Sequence, residues 1–323
     1  MRAIQITRQG GTDVLKVAHI AKPEPGEGEV RLRIEAAGVN FIDIYHRSGL
    51  YQVDLPFVPG VEGAGVVDAV GADVSDFAVG DRAAYVMEPG AYAEYAVVPA
   101  HKLVPVPDAV GTTLAAAVML QGMTAQYLSH ATYPIQEGDV VLIQAAAGGV
   151  GGLLVQMAKM RGATVLGTAS TDEKIERATE AGADHMIRYT EVDFEAEVAR
   201  LTEGTGVDAV YDSVGQTTFR RSLNCLKPRG HMVFFGQSSG PVEPIDPLVL
   251  MREGSLYLTR PSLAHYVAER RELLERAVAV FDMIGTGDLD VRIDQAFALE
   301  DAARAHAYVE GRKTKGKVVL VTD

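Results

Sequence analysis

Cysteine is nearly absent from this chain: Cys225 stands alone among 323 residues. A single thiol forms no internal disulfide and no multi-thiolate zinc or iron–sulfur centre, and such usage suits a reducing, cytoplasmic setting. Long apolar runs are also missing. No stretch approaches the roughly 18 uncharged apolar residues a membrane-spanning helix needs, and the opening MRAIQITRQG lacks the hydrophobic run of a signal peptide. Basic charge is in deficit, with 30 Lys and Arg against 43 Asp and Glu and a net charge of −13. That sign opposes a surface that follows a phosphate backbone, so neither a nucleic-acid nor a membrane partner is expected. Several catalytic signatures are absent: no Tyr has a Lys four residues on, and there is no H-E-x-x-H and no G-x-x-x-x-G-K-S/T loop. The eight histidines are scattered rather than grouped as metal ligands.

The length suits two domains of roughly 100–200 residues each. Residues 1–105 alternate Gly and Pro with short Val-, Ile- and Tyr-rich segments, EVRLRIEAAGV, GAGVVDAV, DRAAYV and AYAEYAVV, the texture of antiparallel β-structure folded on itself. From about residue 109 the pattern lengthens into AVGTTLAAAVMLQGMTAQYLSHAT, one long buried helix with Asp108 to cap it and a bend at Gly122. Six strand–helix steps follow, from DVVLIQA to SLYLT. Their strands are nearly continuous apolar runs, as in a doubly wound parallel sheet covered on both faces. A helix over 263–285, another near 299–310 and the strand KVVLV complete the pattern, and that last strand is expected to return to the first domain. The expected division is 1–123 with 262–323, and 124–261 between them.

The segment VVLIQAAAGGVGGLLVQMAK places a Gly-rich turn between strand and helix. Ala146, Gly148 and Gly151 occupy the three small positions of the dinucleotide fingerprint, with Ala147, Gly149 and Val150 between them. One glycine admits the pyrophosphate to the backbone, another lets the helix close on the strand, and the helix N-terminus faces the phosphates. A tight packing turn would use the same residues. An NAD site carries an acid near the end of the second strand. Here Thr168, Ala169 and Ser170 stand there, which leaves room for a 2′-phosphate. NADPH is therefore expected over NADH, with Lys174 and Tyr189 on that phosphate; a solvated helix face is the other reading of Lys174.

NFIDIYHRSGLY, PGVEGAGVV with GDRAAY, AAAGGVGG, YDSVG and GSLYLTRPSL together resemble the medium-chain dehydrogenase/reductase superfamily from end to end. Within it the chain is most similar to the zeta-crystallin-like NADPH:quinone oxidoreductases. The resemblance implies a GroES-like, β-rich catalytic domain joined to a Rossmann domain with a six-stranded parallel sheet. It also marks a departure. Zinc-dependent relatives carry Cys where Asn40 stands and His where Val61 stands, so no metal is expected, and Glu62 reads as a structural group. By the same resemblance Asn40 lies near the nicotinamide ribose and substrate, while Tyr45 and Tyr51 line the substrate slot; plain packing is the other reading of each tyrosine. Asp43 suits a helix cap or an internal salt link. Thr124 resembles the threonine near the nicotinamide, with helix packing as the alternative. Phe235, Gly236, Gln237, Ser238 and Ser239 follow the fifth strand, where the crevice should border the nicotinamide half. Lys317 falls in a basic cluster with Arg312, Lys313 and Lys315 that could help hold phosphate, although a solvated turn is the favoured reading.

The implied function is NADPH-dependent, zinc-independent reduction of quinones. The alternatives are reduction of the C=C bond of enones or alkenals, and a non-catalytic NADPH-binding protein of crystallin or RNA-binding type. A homodimer formed by sheet addition through GSLYLT is expected by resemblance.

Overall fold

The computed structural model describes residues 1–322. The chain divides into two compact units, 1–123 with the C-terminal residues from Tyr266 onward, and Thr124–His265.

The first unit is built on a seven-stranded sheet. Its order is Ile293–Ala298, Lys317–Val321, Glu29–Val39, Glu62–Val70, Arg82–Val86 and Leu103–Pro105, with Tyr95–Pro99 also paired to Glu29–Val39. The alternation of Val30, Leu32 and Ile34 with Arg31 and Arg33 buries one face of the long strand, its apolar residues at most 1% exposed. The C-terminal strand does return: Lys317–Val321 runs antiparallel to Glu29–Val39, with Val318 opposite Val39. This pairing carries Lys317 to the end of the strand that leads into Asn40. The helix Phe41–Ser48 follows directly and ends at Gly49 in the left-handed conformation, φ 85°.

The second unit is a six-stranded parallel sheet ordered His185–Arg188, Thr164–Ala169, Val140–Ile143, Val207–Asp212, Leu226–Phe234 and Tyr257–Thr259. In chain order that is the 3-2-1-4-5-6 arrangement of the doubly wound dinucleotide fold. Among the helices between its strands are Gly149–Met160, Asp172–Glu180, Phe194–Leu201 and Phe219–Asn224. The central strands Val140–Ile143, Thr164–Ala169 and Val207–Asp212 are buried on both faces, as their sequences foretold, whereas the edge strands expose His185 and Tyr257.

Three expectations about elements are corrected, and one strand was not foreseen. The long helix is broken into Thr112–Val118 and Gln121–Tyr127 at Met119 and Leu120 rather than bent at Gly122, because the Leu120 N–H donates to Glu62 Oε1 at 2.6 Å. Gly122 instead serves packing, since a Cβ there would lie 2.9 Å from Val280 Cγ1. Asp108 caps nothing. The helix starts after Gly111, and Asp108 pairs with Arg82 at 3.0 Å. The segment 263–285 forms two helices, Leu263–Tyr266 and Arg270–Thr286, and the sequence reading missed the strand Ile293–Ala298, whose partner lies about twenty residues further on.

Candidate functional site

Asn40 ends the long strand and begins the helix Phe41–Ser48, and its side chain is 4% exposed. Its Oδ1 accepts from Lys317 Nζ at 2.8 Å and from Gln121 Nε2 at 3.3 Å. Its Nδ2 donates to Glu62 Oε2 at 2.8 Å and to the Gly38 carbonyl at 3.4 Å. An ammonium can only donate, so Lys317 fixes which amide atom is the oxygen. All the hydrogen-bonding capacity of this amide is thus used inside the unit. Lys317 and Glu62 form a buried ion pair beside it, and a Cβ on Gly38 would sit 1.9 Å from Glu62 Oε2. Only glycine leaves room for the pair. The reading of Lys317 as part of a solvated basic turn is therefore corrected: its side chain is 2% exposed, and strand pairing with Glu29–Val39 draws it inward.

Asp43, three residues into this segment, is wholly buried. Its Oδ2 accepts the Asn40 backbone N–H at 2.8 Å and the Tyr92 hydroxyl at 3.1 Å, while Oδ1 has no hydrogen-bond partner. It acts as a helix cap rather than in a salt link. Burial raises its carboxyl to about 7, against the opposing pull of the Asn40 N–H, the Lys317 charge and the Tyr92 hydroxyl. The half-buried Tyr45 and Tyr51 meet edge to face, ring centroids 5.2 Å apart, and the Tyr51 N–H closes on the Tyr45 carbonyl at 3.1 Å. Phe41 stands 6.1 Å from Tyr45 and His46 6.1 Å from Tyr51. These residues make one aromatic cluster on the outer part of the helix.

The Gly-rich turn has the form its sequence implied. Gly148 precedes the helix Gly149–Met160, and no side chain caps the helix. A Cβ on Gly151 would lie 2.3 Å from the Ala145 carbonyl oxygen, and one on Gly148 3.1 Å from the same atom. The two glycines let the helix start close against the end of Val140–Ile143, leaving its first N–H groups free of any side-chain cap. Behind the turn runs a polar relay the sequence reading missed. The Ala145 N–H donates to Thr168 Oγ1, Thr168 to Gln144 Oε1, Gln144 Nε2 to Ser222 Oγ, and Ser222 to Asp212 Oδ2. Its members come from four separate elements, so no local motif announces it. The buried Asp212 carboxyl also accepts from the Val214 and Gly215 N–H groups and Thr218.

Ser170, Lys174 and Tyr189 are brought together. Arg188 pairs opposite Ala169, the Tyr189 N–H donates to the Ala169 carbonyl at 3.2 Å, and the Lys174 N–H closes the first turn of Asp172–Glu180 on Thr171 at 3.1 Å. Tyr189 is 45% exposed. The nearby acid Asp172 is held by Arg188 at 2.7 Å. Phe235, Gly236 and Ser238 follow the end of Leu226–Phe234, their N–H groups donating to the carbonyls of Asp212 and Ser213. Residues 236–240, GQSSG, spell the G-x-S-x-G of a nucleophile elbow. That device needs a helix straight after the serine, and here the chain turns and runs extended until Leu248–Arg252. Thr124 is 6% exposed within Gln121–Tyr127.

The second unit thus has a parallel sheet in the doubly wound order with a glycine turn after its first strand, and the first unit is a β-rich fold carrying a buried polar cluster. Two family models match: the alcohol dehydrogenase GroES-like domain over residues 26–108 and the zinc-binding dehydrogenase over 149–279. A quinone oxidoreductase of Pseudomonas aeruginosa is 45% identical over 99% of each chain. The chain belongs to the quinone oxidoreductases of the medium-chain dehydrogenase/reductase superfamily. A 2-haloacrylate reductase from Burkholderia is 44% identical, covering 99% of this chain and 98% of its own. The Escherichia coli quinone oxidoreductase complexed with NADPH superposes with a TM-score of 0.97 at 41% identity, covering 99% of this chain and 100% of the other. The GroES-like and Rossmann domains expected for the superfamily are both present.

Proposed function

We propose that this chain is an oxidoreductase that reduces quinones with NADPH. The observation that carries the reading is the uncapped, glycine-lined start of Gly149–Met160 together with an acid-free end of the second strand. The turn fits a dinucleotide, since Gly148 and Gly151 let the helix start close against the Ala145 carbonyl while its first N–H groups carry no side-chain cap. Ala147, Gly149, Val150 and Gly151 would hold the pyrophosphate by backbone N–H groups, Gly148, whose own N–H is taken by the Ala145 carbonyl at 2.9 Å, would let the backbone approach it closely, and Ser170, Lys174 and Tyr189 would hold the 2′-phosphate. Phe235, Gly236, Ser238 and Thr124 border the nicotinamide half. NADPH supplies the hydride.

The residues of the first unit orient and shield the acceptor. Tyr45 and Tyr51 form its aromatic wall, and a tyrosine hydroxyl donates to the quinone oxygen that gains charge. Quinones need little further acid help, because the ring spreads that charge. Asn40 contributes a fixed position and shape rather than a free hydrogen bond, because its amide is committed to Lys317, Gln121, Glu62 and Gly38. Lys317 supports Asn40 from within the fold; with its ammonium paired to Glu62 it is not available as a phosphate ligand. Asn40 and Val61 supply no zinc ligand, which supports metal-independent turnover. A cytoplasmic homodimer joined through the edge strand Tyr257–Thr259, where Tyr257 is 58% exposed, completes the reading.

A second reading is reduction of an activated C=C bond, favoured by the similarity to the 2-haloacrylate reductase. Initial rates of NADPH and NADH oxidation with an ortho-quinone, a para-quinone and a simple enone, with and without chelator, separate the two. Quinone turnover with NADPH, unchanged by chelator, supports the first. Turnover of the enone alone moves the assignment to an alkene reductase.

A further inference from the structure

A line of buried side chains leads from Asn40 to the far surface of the first unit. Tyr92 donates to Asp43 Oδ2 at 3.1 Å and contacts His306 Nε2 at 3.2 Å. His306 Nδ1 lies 3.2 Å from Arg47 Nη1, and Arg47 holds Glu310 through both η nitrogens at 3.1 and 2.6 Å. Tyr92, His306 and Asp43 are all 0% exposed and Arg47 is 2% exposed.

The direction of every bond is set by one end. A guanidinium has no acceptor, so Arg47 donates and His306 Nδ1 must carry the lone pair. The ring is then neutral with its proton on Nε2, which donates to the Tyr92 oxygen. That leaves the Tyr92 proton for Asp43. Burial and the Arg47 charge push His306 down to about 3, and burial holds Tyr92 well above its ordinary range, so neither ring changes charge in the working range of pH. The Tyr92 ring is also fixed in place: a Cβ on Gly60 would lie 2.2 Å from its Cδ1.

We propose that Tyr92 and His306 are positioning residues of the reaction: with Arg47 they form a chain of hydrogen bonds of fixed direction. This chain keeps Asp43 an acceptor for the Asn40 backbone N–H, and so anchors the start of the helix that carries Tyr45. The inference rests on the roles assigned to Asn40 and Tyr45 above. The groups facing Asp43 are the Asn40 N–H from its own segment, Tyr92, Lys317, Glu62 and Tyr85. Lys317 and Tyr92 favour the carboxylate, and Glu62 opposes it. Removing the Tyr92 hydroxyl takes away a donor to the charged form. The Asp43 titration then moves up, by about one pH unit for one such bond.

The test follows two readouts in wild type, Tyr92→Phe, His306→Leu and His306→Gln, each checked for folding by circular dichroism. One is the Asn40 backbone amide resonance against pH, which needs no turnover. The other is the pH profile of kcat and KM for NADPH oxidation with a para-quinone. The expected result is an Asn40 transition and an acid limb of kcat that both move up by about one unit in Tyr92→Phe. Both should move in the same direction in His306→Leu, and both should return toward wild type in His306→Gln, whose amide can accept from Arg47 and donate to Tyr92. An Asn40 transition and acid limb unchanged in folded Tyr92→Phe would overturn the proposal. So would a uniform loss of kcat without a shift in either profile. If Tyr92→Phe does not fold, the contrast between the two His306 variants decides. A wild-type enzyme silent with every acceptor would instead sink the functional reading. The resonance shifts would still decide whether Tyr92 and His306 hold Asn40.

Discussion

Lys317 and Glu62, 255 residues apart in sequence, form an ion pair with 2% and 0% of their side chains exposed. Between them they hold both ends of the Asn40 amide, and Glu62 also takes the Leu120 N–H that breaks the neighbouring helix.

Removing one partner leaves a buried charge unpaired, a loss of about 3–5 kcal/mol. Lys317→Met and Glu62→Gln are each expected to lower stability by that order in urea unfolding, and the double variant by clearly less than their sum. Additive losses would show that the pair is not coupled.

The two glycines after Val150 give a paired comparison. Gly151→Ala drives a Cβ to 2.3 Å from the Ala145 carbonyl, whereas at Gly152 the nearest atom is 3.8 Å away. NADPH affinity measured by fluorescence titration should fall at least about tenfold, or 1.4 kcal/mol, in Gly151→Ala and stay within about twofold in Gly152→Ala. Equal effects would contradict the close helix–strand approach as the cause.

Lys174→Ala is expected to narrow the preference for NADPH over NADH by about tenfold, one charge-assisted contact to the 2′-phosphate. The ratio of kcat/KM for the two cofactors measures it. An unchanged ratio removes Lys174 from the assignment.

Asp43 and His306 impose opposite pH dependences on stability. Asp43 is raised from 3.8 to about 7, so between those values the folded state holds a proton that the unfolded state has lost, and stability falls as pH rises. His306 is lowered from 6.5 to about 3, so the unfolded state holds the extra proton there and stability rises with pH. From about pH 4 to 6.5 the two slopes cancel, each about 1.4 kcal/mol per pH unit. Asp43→Asn should therefore make stability climb with pH across that window, and His306→Gln should make it decline. Unfolding free energies at pH 4.5 and 6 read the sign directly, and parallel profiles in the two variants would refute it.

The sheet of the second unit was legible because its central strands are apolar runs buried on both faces and its helices follow at regular spacing. The glycine turn was legible because its constraint is local: the strand end, the turn and the helix lie within about ten residues. Asp43 as a cap was half visible for the same reason. The break at Leu120 was not, because its cause is a carboxylate on another strand. Lys317 was misread because its neighbours in sequence, Arg312, Lys313 and Lys315, are basic turn residues, while its neighbours in space are Asn40 and Glu62.

By itself the sequence determined the fold class, the succession of strands and helices in the dinucleotide unit and the small residues of the phosphate turn, since hydrophobic period and the absence of a Cβ act over one or two turns of chain. Only the tertiary structure decided what Asn40 bonds to, which tautomer His306 holds and that Lys317 is buried. Each depends on hydrogen bonds between segments up to 277 residues apart, closed when the last strand pairs with Glu29–Val39.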